Sequence, residues 1–281
     1  FPMDLWRKMG DLGVLGITVG EEYGGANMGY LAHMIAMEEI SRASASVGLS
    51  YGAHSNLCVN QIKRNGNEAQ KAKYLPKLIT GEHVGALAMS EPGAGSDLAS
   101  LRTRARRDGD HFVVDGQKVW TSGAHHADVL LTFVRTDPDA PKHKGISVLV
   151  IPTDTPGVTR RPFGSIASRD DHDFNEVFFE GVRVPAENLI GDLNDGWTVA
   201  NGSLGHERTL LWLSFADRLE DLLRDFRPGT PLEKDRYATL VMDSYALRLL
   251  GSKALARAAR GEQDTPSLSV LKLLGSEAVQ S

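Results

Sequence analysis

The sequence predicts an α+β protein in which an N-terminal helical domain and a C-terminal helical bundle flank a middle antiparallel β-domain. Apolar residues recur at helical spacing over residues 1–82. Over residues 83–192 they form short runs of β-branched and aromatic residues, separated by turn signals rather than by helices. The helical period returns over residues 193–281. Strands without intervening helices indicate an antiparallel sheet rather than βαβ units.

Two segments of the first region have clear helical patterns. "YLAHMIAMEEISRA" places Leu31, Ile35, Met37 and Ile40 roughly on one helix face. "NEAQKAKYLPKLIT" predicts an amphipathic helix that closes near Pro76.

The middle region contains five predicted strands. Turns are expected at Asp108-Gly109, Asp115-Gly116 and Pro156-Gly157, because these pairs favour chain reversal. The strands are "ALAMSE", "HFVVDGQKVW", "DVLLTFVRTD", "GISVLVIPT" and "NEVFFEGVRVP".

The last region is helical, most clearly in "DRYATLVMDSYALRLLGSKALARAAR", and "RPGTPLEKD" at 227–235 is predicted to be a loop. The chain starts without an initiator methionine, and both ends lie in helical pattern. We therefore expect a chain truncated at both ends, with an incomplete C-terminal bundle.

Composition and charge limit the classes of molecule that the protein is expected to bind. The chain has 281 residues, 41% of them hydrophobic, and a formal net charge of −5 without a lysine or arginine block, which argues against nucleic acid or an anionic membrane as main partner. No apolar run approaches the roughly 18 residues of a membrane span. The single cysteine, Cys58, cannot form an internal disulfide and fits a reducing compartment.

Three local motifs suggest chemistry that their surroundings do not support. Residues 93–96 lack the lysine of a phosphate-binding loop, and Leu98 stands where a dinucleotide fingerprint needs its third glycine. "GLSYG" follows a helical segment, whereas the nucleophile elbow of a hydrolase needs a strand before its serine. His125 and His126 resemble a metal pair, but a turn or surface position is favoured.

The stretch "ALAMSEPGAGSD" combines a strand end with a small-residue loop. Gly93 and Gly95 allow close approach of a ligand to the backbone, and the hydroxyls of Ser90 and Ser96 supply hydrogen bonds. Such a loop suits a large anionic cofactor that lies flat.

A second strand end, "KVWTSG", carries an aromatic ring beside two hydroxyls. Trp120 could wall a planar ring system, with Thr121 and Ser122 pointing to alternate faces. The alternative is a tryptophan buried in the core.

These motifs resemble those of the flavin-dependent acyl-CoA dehydrogenase family. "EEYGG", "MEEISRAS", "YLPKLITGE", "AMSEPGAGSD", "DGQKVWTSGA", "KGISVLVI", "FNEVFFEGVRVPAENLIG" and "GHER" stand in the family's order. Residues 30–97 are most similar to isovaleryl-CoA dehydrogenases. From residue 113 onward the chain is more similar to actinobacterial acyl-CoA dehydrogenases that act on bulky or branched acyl groups.

The resemblance implies an acyl-CoA dehydrogenase-like fold and FAD as cofactor. Ser96 would also reach the acyl-CoA substrate. The positions that match the family's FAD-binding residues are Leu87, Met89, Ser90, Gly95, Ser96, Trp120, Thr121 and Ser122.

The resemblance also implies the catalytic and substrate-binding residues. Glu207 stands where isovaleryl-CoA dehydrogenases carry the base that removes the α-proton, and Arg208 would bind the CoA portion. Leu49 and Ala53 would shape the acyl pocket. The alternatives are a first-turn carboxylate for Glu207, a solvated helix cation for Arg208, and close helix packing for Leu49 and Ala53.

The implied activity is dehydrogenation of a short, branched or bulky acyl-CoA to the trans-2-enoyl-CoA. Electrons would pass to an electron-transfer flavoprotein, from a homo- or hetero-tetramer in a bacterial cytoplasm or a mitochondrial matrix. The family's Arg-x-x-Phe-Gly segment is missing, since that region reads "LLRDFRPGTPLEKD". Two alternatives therefore stay open: a noncatalytic subunit of a mixed assembly, and an acyl-CoA oxidase.

Overall fold

The structure, a computed structural model, describes residues 3–166, 169–170, 172–262 and 265–280, without the side chains of residues 204–211 and 265. It divides into two compact units, Phe1–Ser203 and Leu204–Ser281. The first unit contains both the N-terminal helices and the β-sheet. The finer division at residues 82 and 192 stays a prediction.

The helices of the first unit are set by local capping as well as by apolar spacing. Asn67 and Gln70 form a capping box, in which each backbone N–H donates to the other side chain at 2.9 Å. The helix that follows continues through Pro76 and ends at Ile79, beyond the predicted end. The helices are α1 Met3–Asp11, α2 Gly29–Ala43, α3 Ala45–Gly52, α4 Asn60–Asn65 and α5 Glu68–Ile79, with a π-helical segment at Ala53–Val59.

The predicted apolar face of α2 is only half correct. Met37 and Ile40 pack against the core around Trp6. Leu31 and Ile35 lie on the exposed side of the helix. The fully buried residues of α2 are His33 and Met34, which are not among these four, so the apolar spacing identified only part of the buried face.

Eight strands within the described residues form one sheet, with the order β6-β7-β3-β2-β4-β5-β8 and β1 beside β4. The predicted apolar runs all contain strands. Three strands were not predicted: β2 and β6, which are mostly polar, and β8, which has only two residues. The bounds are β1 Gly85–Ala88, β2 Arg104–Asp108, β3 His111–Lys118, β4 Val129–Arg135, β5 Ile146–Pro152, β6 Val158–Phe163, β7 Phe174–Pro185 and β8 Leu189–Ile190.

The sheet was predicted to be antiparallel. Most of its strand pairs are antiparallel, but two are parallel. Strand β1 runs parallel to β4, in register from Gly85 opposite Val129 to Ala88 opposite Thr132. A single parallel bridge also joins β2 to β4. Parallel neighbours need a long crossover connection, which is usually a helix. Here the β2–β3 hairpin supplies that connection, so the absence of an intervening helix did not require an antiparallel pair.

Two of the three predicted turns are present, and the third is a bulge. Gly109 and Gly157 have φ values of 61° and 92° in the turns before β3 and β6. Asp115-Gly116 lies inside β3, where the pairing with β7 shifts register and Gly116 has a φ of 148°. A Cβ on Gly116 would stand 2.7 Å from Thr103 Cα, so close packing as well as the bulge requires glycine there.

Strand β4 is the centre of the first unit, and all seven of its residues are buried. One face, with Leu131 and Phe133, shares a core with Leu75 and Leu78 of α5. The opposite face shares a second core with β3 and β7. The sheet therefore has helices on one side and its own outer strands on the other.

The second unit contains α7 Pro231–Ala259, α8 Thr265–Gln280 and most of α6 Gly196–Asp225. Thr230 and Glu233 form a capping box, so α7 starts at Pro231 inside the segment predicted as a loop. Arg248 of α7 contacts Asp217 and Glu220 of α6 at 2.6 Å. Among the described residues, no helix has the length and apolarity needed to cross a membrane.

His54 connects the π-helical segment to α5 and β1. Its Nδ1 accepts a hydrogen bond from Gly85 N at 3.0 Å, so Nε2 carries the proton and donates to Leu78 O at 3.0 Å. Burial lowers the pKa of His54 to about 4. A proton on Nδ1 would face the Gly85 N–H, which favours the neutral ring.

We expect His54 to make the fold sensitive to acid. Its folded pKa lies below its ordinary value, so the unfolded chain binds the proton first as pH falls from about 6.5 to about 4. The free energy of unfolding should drop across this window by up to about 3 kcal/mol. Urea unfolding over this pH range measures it, and His54→Gln should flatten the dependence. Equal slopes in both proteins would contradict the prediction.

Candidate functional site

The two segments predicted to bind a cofactor are neighbours where β1 and β3 end. Ser90 O accepts a hydrogen bond from Val119 N at 2.9 Å. The Lys118 ammonium donates to Met89 O at 3.1 Å. Residues 89–91 and 118–119 thus lie side by side, although 27 positions separate Glu91 from Lys118.

The loop after β1 is a tight turn with an open outer side. Glu91 and Ala94 exchange backbone hydrogen bonds of 3.0 and 3.1 Å, which close the turn around Pro92-Gly93. A Cβ on Gly93 or on Gly95 would meet no atom within 4 Å. Space therefore remains beside both glycines, and the close approach of a ligand to this backbone stays a prediction.

A buried ion pair lies beneath this loop. Lys118 is fully buried and Glu91 is 8% exposed, with Nζ and Oε1 2.8 Å apart. Burial lowers the pKa of Lys118 to about 8, although Glu91 opposes the shift. Burial disfavours ionisation of Glu91, but Lys118 and the donors around it outweigh this and lower the Glu91 pKa. Both residues lie within the motifs "ALAMSEPGAGSD" and "KVWTSG", but the sequence pattern predicted no role for either.

Trp120 projects outward at the end of β3 and is 56% exposed, so it is not the buried core residue of the alternative reading. Its φ of 60° lies in the left-handed region, which costs a non-glycine residue about 1–3 kcal/mol. The rings of Phe163 and Phe174 meet it edge-on, with centroids 5.0 and 5.4 Å away. The Trp120 backbone is thus strained, while two aromatic rings pack against its exposed side chain.

The two hydroxyl side chains that follow Trp120 in the sequence differ in their exposure to solvent. Thr121 is 1% exposed, and its Oγ1 has no hydrogen-bond partner. Ser122 is exposed. Of the two, Ser122 can meet a ligand at the surface, because Thr121 points into the domain.

The other predicted cofactor residues vary in exposure. Ser96 and Gly95 are exposed and Ser90 is half-buried, so the loop presents two hydroxyls. Met89 is buried and Leu87 is partly buried, and both pack in the core shared with the helices. Their side chains belong to this core and offer no polar group to a ligand.

Leu49 and Ala53 lie on the same side of their helix, as their spacing predicted. The Ala53 N–H donates to Leu49 O across one helical turn. Leu49 is 72% exposed, which close helix packing does not explain. Ser50 of the "GLSYG" motif lies inside α3 and donates to Ser46 O at 3.0 Å, in a helix rather than at an elbow.

The remaining sequence predictions concern the Glu207-Arg208 pair and the two adjacent histidines, His125 and His126. Glu207 and Arg208 belong to α6, but their side chains lie outside the described residues. His125 and His126 lie in a turn, with His125 Nδ1 2.9 Å from Asn175 Nδ2. Within the part of the chain that the structure describes, no three histidine, cysteine or acidic side chains form a metal-binding group.

Two family descriptions match the chain. The acyl-CoA dehydrogenase N-terminal domain matches residues 1–82, and the acyl-CoA dehydrogenase middle domain matches residues 86–182. The second match contains the loop after β1 and the end of β3.

One relative and two solved structures define the likeness further. The mitochondrial isovaleryl-CoA dehydrogenase of Pongo abelii is 49% identical over 210 residues, 74% of this chain and 49% of that protein, so the chain spans about half the length of the curated relatives it matches. An acyl-CoA dehydrogenase from Geobacillus kaustophilus has a TM-score of 0.90 and 32% identity, over 99% of this chain and 77% of that one. A glutaryl-CoA dehydrogenase from Mycobacterium smegmatis in complex with FADH2 has a TM-score of 0.84 and 26% identity, over 99% and 74%.

The open loop predicts that glycine at position 95 is not needed for folding. Gly95→Ala should change the free energy of unfolding by less than about 1 kcal/mol, because its Cβ meets nothing. Gly85→Ala is the matched control, since its Cβ would stand 2.5 Å from Cys58 Sγ and should cost about 1–3 kcal/mol. Urea unfolding of both variants tests this, and an equal loss would contradict the open loop.

Proposed function

The chain belongs to the acyl-CoA dehydrogenase family, as its motifs predicted, and on this premise we propose that it binds FAD and dehydrogenates acyl-CoA thioesters. The substrate would be a short, branched or bulky acyl-CoA, and the product its trans-2-enoyl-CoA. The observation that carries the proposal is the exposed Trp120 ring in a segment that is hydrogen-bonded, through Val119 N and Ser90 O, to the segment with the open glycines.

The residues at this site fit a cofactor with a planar ring and a phosphate-bearing chain. Trp120 offers a largely exposed indole ring, and aromatic contact favours a flat partner. Ser90, Ser96 and Ser122 offer hydroxyls, and Gly95 leaves room for close approach of the backbone. The likeness to a glutaryl-CoA dehydrogenase in complex with FADH2 supports FAD as the occupant.

Bound FAD would supply the hydride acceptor at flavin N5. The chain would supply the rest: Glu207 would remove the α-proton, Arg208 would hold the CoA portion and Ser96 would reach the acyl-CoA. The α-carbon of a thioester is a weak acid, so its base needs a pKa raised toward neutrality by an apolar surrounding. Hydrogen bonds to the thioester carbonyl would stabilise the enolate that forms.

The acyl chain would be selected by the α3 segment. Leu49 and Ala53 share one helix face, and the exposed Leu49 is available for contact. The likeness to an isovaleryl-CoA dehydrogenase supports a branched substrate. An electron-transfer flavoprotein would accept the electrons, within a homo- or hetero-tetramer located in a bacterial cytoplasm or a mitochondrial matrix.

Flavin titration followed by substrate addition tests the proposal directly. The purified chain should bind added FAD, and isovaleryl-CoA added without oxygen should bleach the flavin absorbance. A protein that binds no FAD would favour the noncatalytic subunit. Rapid reoxidation of the bleached flavin by oxygen would favour the oxidase.

Glu207→Gln should leave FAD bound and slow the bleaching by at least about a hundredfold, because loss of a general base costs this much. Rapid mixing with isovaleryl-CoA measures the rate. Unchanged bleaching would place the base at another residue.

Trp120→Ala should weaken FAD binding by about 1–3 kcal/mol, the value of a large aromatic contact. Trp120→Phe keeps a ring and should lose less. Fluorescence titration with FAD gives both affinities. Wild-type affinity in Trp120→Ala would exclude the indole from the cofactor site.

A further inference from the structure

We propose that Glu91 and Lys118 are positioning residues, a buried ion pair that holds the loop after β1 and the turn after β3 in the geometry that receives the flavin. The inference rests on the proposed function for the identity of the ligand. The contacts between the two segments are independent of any ligand.

Lys118 connects the end of β3 to the backbone and to a side chain of the segment after β1. It is the last residue of β3, and Val119 and Trp120 follow it directly. Its ammonium donates to Met89 O at 3.1 Å and to Glu91 Oε1 at 2.8 Å. One side chain thus binds the backbone and the side chain of the other segment, and any shift of the β1 loop would break one of the two contacts.

Besides Lys118, the Glu91 carboxylate binds the chain segment that precedes β2. Its Oε2 accepts from Arg102 N at 2.6 Å, and its Oε1 accepts from Thr103 N at 2.8 Å. These N–H groups precede β2, so the carboxylate joins three separate parts of the chain. The Glu91 backbone closes the turn with Ala94. The carboxylate therefore determines where the open glycines of this turn lie.

The role is positioning rather than catalysis. Lys118 has no exposed surface and Glu91 is 8% exposed, so neither can reach a substrate. A buried ion pair is also a weak source of stability, because the loss of hydration offsets most of the attraction. Apolar side chains could fill this volume, but they would not fix Met89 O, Arg102 N and Thr103 N at defined distances.

The test removes both charges and compares the result with another ion pair of the same sheet. The double variant Glu91→Gln/Lys118→Met replaces the pair with side chains of similar size. The control is Asp108→Asn/Arg183→Met, which removes an exposed pair 2.7 Å apart between β2 and β7. All proteins are the full chain, and a single urea transition establishes that each is folded.

Hydrogen exchange without ligand is the first readout. The Val119 amide, which donates to Ser90 O, should exchange at least about tenfold faster in the double variant. The Leu131 amide of the central strand should be unchanged, and the control should match wild type at both amides. Unchanged exchange at Val119 would overturn the positioning role. A double variant that fails to fold while the control folds would also overturn it, because the pair would then serve folding.

FAD titration is the second readout. The double variant should bind FAD at least about tenfold more weakly than wild type and the control, with a changed circular dichroism spectrum of the bound flavin. Wild-type affinity together with an unchanged flavin spectrum would overturn the proposal. If wild type binds no FAD while exchange at Val119 still accelerates in the variant, the proposed function fails and the role of the pair in holding the two segments is supported.

Discussion

Strand β4 imposes the constraint on which the first unit depends. All of its residues are buried, so its backbone groups must be satisfied within the sheet; β5 pairs with the whole strand, and β1 pairs with its first four residues, 129–132. One face packs on the helices and the other on the outer strands. The parallel pairing with β4 determines where β1 ends, and the loop at that end forms one half of the candidate site.

The candidate site combines rigid support with an open surface. Glu91 and Lys118 form an ion pair largely shielded from water. On the exposed side, Gly95 leaves space and the Trp120 ring is accessible. Trp120 is held in a left-handed conformation that most residues avoid, with Phe163 and Phe174 in T-shaped contact with its ring. Strain of this kind persists only where the surroundings determine the backbone, which is common at ligand sites.

Sequence patterns predicted elements best where burial is periodic. The long apolar runs of β4 and β5 left no alternative to buried strands. In β2, Ala105 is the only buried residue among five. This strand is exposed and mostly charged, so it has no apolar pattern from which it could be predicted. In α2, both Leu31 and Met37 fit a helical period, and only packing showed that Met37 faces the core.

By itself the sequence determined the family, the order of helical and strand regions, and the residue types of the candidate site, because these are recorded in local spacing and in motifs. Only the tertiary structure decided that β1 runs parallel to β4, that Thr121 points inward while Ser122 is exposed, and that Lys118 lies buried against Glu91. The physical reason is that strand pairing and burial arise from contacts between residues distant in the chain. Local periodicity shows that side chains alternate, but it does not show which neighbour each face will meet.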